Sequence, residues 1–180
     1  MSKKKKSSAL ISLTMSAMLV AMSCLFSSYS KAIPDTYLRI SFENLPIIFG
    51  AVLFGPLQGS AIACAADLVS CTLIGGYAPN PILMVGIISV GITAGLISRI
   101  ANNRRFSPLV LAISVFSAHT IGNILIKSFG LYYMGLLPSL VFIPLQRAPL
   151  YLVIATLEYI ILLLLFKNTT IRKMSYGRMK

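Results

Sequence analysis

The chain is 180 residues long, 57% hydrophobic and 11% charged, with a mean hydropathy of +0.85; a soluble domain of this size carries roughly 25% charged residues, so the composition excludes a water-dispersed globule and leaves the lipid bilayer as solvent. The net charge of +12 would suggest nucleic acid in a soluble protein. Here the basic residues sit at the two ends and in short loops between apolar runs, a placement that orients membrane helices instead.

A spanning helix needs about 20 apolar residues, and such runs lie near 8–28, 57–73, 82–100, 107–128 and 146–166. A shorter apolar run over 42–54, closed by Gly55-Pro56, reads as a compact second helix. The expected fold is therefore an all-α membrane protein, one domain over 1–180, with six transmembrane helices and cytoplasmic N and C termini. In that arrangement Lys3 to Lys6, Arg99, Arg104, Arg105, Lys167, Arg172, Lys173, Arg178 and Lys180 lie inside, and only Lys31, Arg39, Lys127 and Arg147 outside. Five spans would strand one basic terminus on the wrong side. The opening lysines also fit a signal peptide, but the apolar run after them, near 20 residues, exceeds the 7–15 of a signal core.

The expected absences narrow the function. There is no phosphate-binding GxxxxGK[ST] loop, no HExxH pair and no GxSxG elbow, so the chain is expected to be neither an ATPase nor a hydrolase. Cys24, Cys64 and Cys71 fall within predicted spans without metal spacing and read as small apolar packing residues. Neither a metal nor a cofactor is expected. Two long inverted repeats, frequent in autonomous secondary transporters, are not evident.

Ionisable residues inside spans are expensive and mark functional sites by default. The chain has four acids in all, Asp35, Glu43, Asp67 and Glu158. On the fifth predicted span His119, Asn123 and Lys127 recur at i, i+4 and i+8, which stacks them on one helical face. Asp67 lies at comparable depth on the third span, two turns from its outer end. Arg147 opens the last span, followed on the same face by Tyr151, Ile154 and Glu158; Glu158, about 16 Å along the helix from Arg147, reads as a packing or coupling residue. Each of these has a plainer reading as interhelical polar glue or, for Lys127 and Arg147, as a snorkelling interfacial cation. Together they form an acid, an imidazole, an amide, tyrosines and cations on the external side, an inventory suited to a water-soluble organic anion. Outer segments 31–46, 75–81 and 130–140, rich in Pro, Gly and Tyr, suit a lid.

Four stretches then carry a resemblance. LRISFENLPIIFGAVLFGPLQGSAIACAADL over 38–68, GGYAPNPIL in the third loop, the single basic Arg147 opening the last helix, and Ala17 with Ala21 in SAMLVA on the first helix together resemble the S component of an energy-coupling factor (ECF) vitamin transporter, most similar to the folate family. The resemblance implies a multi-pass protein of the bacterial cell membrane that binds a vitamin from outside without hydrolysing anything. It also implies an ECF transmembrane coupling subunit and two ATPase subunits as partners, with Ala17 and Ala21 as the docking pair. The residues read above and the resemblance together give a candidate substrate-binding set of Arg39, Phe42, Asp67, Tyr77, Asn80, His119, Asn123, Lys127 and Arg147. A pterin would present two donors to Asp67, stack on Tyr77 or Phe42 and leave its glutamate tail to the cations. Hydroxymethylpyrimidine, pantothenate or a deazapurine base are alternative ligands. A small membrane assembly protein without ligand is the alternative outside transport.

Overall fold

In a computed structural model, residues 3–31, 42–76, 78–135 and 142–168 are described. Every regular element among them is helical: α1 (Lys3–Lys31), α2 (Asn44–Phe54), α3 (Pro56–Val69, continued by a π-wound stretch Ser70–Ile74), α4 (Pro81–Ile100), α5 (Pro108–Ala118, π-wound over His119–Ile126, then Lys127–Tyr133) and α6 (Phe142–Lys167). Five segments, Leu10–Ser30, Pro56–Ile74, Pro81–Ile100, Pro108–Tyr133 and Ala148–Lys167, are long and apolar enough to cross a bilayer. Leucines and isoleucines remain exposed along them, among them Leu13, Leu57, Leu109, Leu152 and Leu164, as expected where lipid is the solvent.

The expectation of six spans is met only in part, because α2 has 11 residues, about 16 Å at 1.5 Å per residue against a hydrocarbon core of about 30 Å. Nine of those residues, including Leu45, Ile47, Ile48 and Val52, are buried inside the bundle. The fifth span is also longer than its predicted end at 128, running on to Tyr133. Helix α2 ends at Gly55, whose φ of 95° lies in the region that favours glycine, and Pro56 opens α3 in the first helical position, where its missing N–H costs nothing.

One end of the bundle gathers this Gly55 turn and the short Asn102–Arg104 turn between α4 and α5. Phe166 near the end of α6 stacks on Phe49 at 5.1 Å and packs against Phe106 at 5.0 Å, which places the end of α6 there too. Gln58 donates to Ser12 at 2.7 Å, so the first half of α1 lies at the same end. We call it the basic end, after Arg99, Arg104, Arg105 and Lys167. The start of α1 and the finish of α6 thus share one side of the bundle, although α2 crosses only about half its depth.

Helix α4 holds the bundle together through glycines. A Cβ at Gly91 would come within 2.5 Å of the Gly59 carbonyl oxygen, one at Gly95 would overlap the Pro56 backbone, and one at Gly86 would reach 2.7 Å from Cγ of Lys127. Such small-residue seams let backbones approach where packing rather than the hydrophobic effect drives association in lipid.

Candidate functional site

Polar groups gather at mid-depth, where α2 begins. Glu43, just before α2, accepts from Lys127 Nζ at 3.1 Å, with side chains 20% and 16% exposed respectively. The backbone carbonyl of Glu43 also accepts from Ser23 Oγ of α1 at 2.7 Å, which fixes the entry of α2 against a neighbour. Because Gly86 lacks a side chain, the stem of Lys127 passes over α4 to reach this acid. Tyr151 and Asp67 lie within electrostatic reach of the same ammonium.

About two turns nearer the basic end, His119 bridges two helices. Its Nε2 meets Glu158 Oε2 on α6 at 2.7 Å, and Asn123 Nδ2 approaches Nδ1 at 3.1 Å. One neutral tautomer serves both bonds, with Nε2–H donating to the carboxylate and the Nδ1 lone pair accepting from the amide, an assignment made from the network. The Tyr151 ring lies 6.0 Å from the imidazole, centroid to centroid. His119, Asn123 and Glu158 are all buried, the last two completely. Glu158 is in turn within electrostatic reach of Glu43 and Lys127. Three of the four acids of the chain therefore converge on one region.

The i, i+4, i+8 expectation for α5 holds for contact and is refined in geometry. His119 and Asn123 do touch, but the helix is π-wound from His119 to Ile126, a rare winding that recurs at functional sites. Lys127 leaves that face to pair with Glu43. Glu158, expected to be a packing or coupling residue, is the direct partner of His119; no spacing within one helix could have revealed a bond across 39 positions. Glu43 was likewise absent from the expected set, although it is one of only four acids in the chain.

Asn80 caps α4: its side-chain oxygen accepts from the backbone N–H of Ile82 at 2.9 Å and Leu83 at 3.4 Å, and its amide nitrogen approaches Met134 Sδ at 3.1 Å. Asp67 lies on α3 with Cys71 Sγ at 3.8 Å from Oδ1. Phe42 is half-buried just before α2, its carbonyl accepting from Leu45. Arg39 and Tyr77 lie outside the described residues. Arg147 belongs to α6 in its backbone, while its side chain is outside the described set. Ala17 and Ala21 are both exposed on α1. No group of three or more metal-ligating residues occurs among the described residues.

A family model, ECF transporter, substrate-specific component, matches residues 12–170. The chain belongs to this family. As an S component it is the substrate-binding subunit of a transporter and not an enzyme; it works with an ECF transmembrane subunit and ATPase modules on a small-molecule substrate. The five long apolar helices agree with a multi-pass membrane protein. No curated protein and no solved structure matches the chain.

Proposed function

We propose that this S component captures a vitamin, with folate the first candidate, from the side opposite the basic end, and that the mid-depth polar region is where it binds. The observation that carries this reading is the convergence of Glu43, Asp67 and Glu158 with Lys127, His119 and Asn123, in a chain that is otherwise almost without charge at this depth. Charged groups in a span cost about 2.5–3.5 kcal/mol each on insertion scales; helix packing alone would be served more cheaply by serine or alanine. Asp67 offers one carboxylate among several to the donor groups of a flat heterocycle. With Lys127 engaged by Glu43, the tail carboxylates of a folate fall to Arg39, Arg147 and Lys31. The exposed pair Ala17 and Ala21 is the docking face for the transmembrane partner.

The test is mass spectrometry of small molecules released from the natively purified subunit, followed by equilibrium binding of labelled folate with hydroxymethylpyrimidine, pantothenate and a deazapurine as competitors. A retained vitamin is expected. Asp67→Asn should then weaken its binding about 10- to 150-fold, the loss of one charged acceptor worth about 1.5–3 kcal/mol. A subunit that retains no metabolite and binds none of the four would point to an assembly role instead.

A further inference from the structure

Two oxygens beside His119 have no hydrogen-bond partner among the described residues. Glu158 uses Oε2 for the imidazole and leaves Oε1 without a donor; Asn123 uses Nδ2 and leaves Oδ1 without one. Both side chains are 0% exposed. A buried acceptor left unmade is costly, more so when it is charged, and these two flank a single ring whose own nitrogens are both engaged. From such a pair we infer that Glu158 and Asn123 are specificity-determining residues that read an N–H donor edge on the substrate. The chemical class they fit is an amino-substituted nitrogen heterocycle, a pterin, an aminopyrimidine or a deazaguanine, and not a carboxylic acid that lacks such an edge.

The bond geometry supports this division of labour. His119 holds the Glu158 carboxylate through one oxygen, so the other is kept at a set orientation without side-chain freedom to lose on binding. A carboxylate meeting two adjacent N–H groups, or one such group with Asn123 taking the second, makes charge-assisted bonds roughly twice as strong as neutral ones. A substrate without the donors would leave both acceptors buried and unmet, which is how a polar site rejects a near-isostere far more strongly than an apolar one can. Both oxygens are shut off from solvent in this conformation. The Glu43–Lys127 pair, still partly exposed, stands about one turn farther out than Asn123 along α5, on the route a substrate would take.

This inference rests on the capture reading and fails separately from it. The probes are two pairs, folic acid with its 2-desamino analogue and 4-amino-5-hydroxymethyl-2-methylpyrimidine with its 4-desamino analogue, titrated against the purified full chain. The wild type should bind one amino compound about 10- to 150-fold more tightly than its desamino partner. In Glu158→Gln that ratio should fall to within about 3-fold, since the one oxygen of the amide stays with His119 and its NH2 group can only donate. Asn123→Ala, which leaves the His119–Glu158 bond in place, should narrow the ratio as well and decides the matter if the first variant does not fold. A purely structural role would weaken both members of a pair alike and leave the ratio unchanged, which overturns the inference. It also falls if the subunit retains a metabolite with no N–H donor edge, with capture still standing. Retention of nothing, with no binding of any probe, overturns both.

Discussion

The α3–α4 seam and the α5–α6 bridge solve the same problem, holding helices together in lipid, by opposite means. Along the seam, Gly59, Gly91 and Gly95 bring backbones into direct contact and leave no polar side chain at the contact. Across the bridge, an imidazole, a carboxylate and an amide are buried with valences to spare. Close apolar packing supplies association at the seam, while polar bonds such as Ser70 to Ser27 join other helices. The proposed capture role gives the costly groups of the bridge a purpose beyond cohesion, and on that reading the two regions should respond differently to substitution.

The largest effect is expected at the bridge. His119→Ala removes the only described partner of the Glu158 carboxylate and should destabilise the protein by about 3–5 kcal/mol, the range for breaking a buried pair, read as thermal unfolding in detergent. Replacing both partners with apolar residues, His119→Leu with Glu158→Leu, should recover most of that loss while abolishing substrate binding. A double variant that keeps wild-type binding would reduce the bridge to cohesion and erase the contrast.

At the seam the effect is smaller and purely steric. Gly91→Ala places a methyl group 2.5 Å from the Gly59 carbonyl oxygen, and neither backbone can give without shifting a helix. Overpacking of this kind costs about 1–3 kcal/mol. The same detergent melt measures it; binding should weaken only as far as the folded population falls. A Gly91→Ala protein as stable as wild type would mean that the helices are not held at this separation.

The smallest effect on stability belongs to the outer face of α1. Ala17→Trp with Ala21→Trp adds bulk to exposed positions, and substitutions away from packed features stay within about 0.5 kcal/mol. Melting and substrate binding by the isolated subunit should be unchanged, while uptake in cells and recovery of the complex with the transmembrane partner are lost. Normal uptake by this variant would remove the docking role from this face.

How much of this was legible in the sequence differs by region. The α5 register was readable because His119 and Asn123 are neighbours on one helix, and a four-residue interval brings side chains together by local geometry alone. The capping role of Asn80 had a local signal as well, an Asn directly before a helix-opening Pro, while its place in the substrate set came from the family resemblance of the loop. The shortness of α2 was visible as a short run between Phe42 and Gly55, but the symmetry of the charge pattern argued for counting it as a span. Burial inside the bundle resolves that conflict: a helix covered by protein need not match the thickness of the bilayer.

Composition, apolar run length and the placement of basic residues determined by themselves that this is a helical membrane protein with five long apolar runs, because lipid penalises unpaired backbone and misplaced charge wherever it occurs along the chain. Those penalties act locally and are written residue by residue. The pairing of Lys127 with Glu43, of His119 with Glu158, and the exposure of Ala17 and Ala21 were decided only by the tertiary structure. The two pairs join positions 84 and 39 residues apart, and which acid meets which base depends on how closely Gly86, Gly91 and Gly95 let neighbouring helices approach α4. The facing of α1 depends on the packing of its other side, where Ser23 and Ser27 bond to Glu43 and Ser70. No periodicity within a single helix carries that information, since each partner's depth and rotation is set by the helices around it.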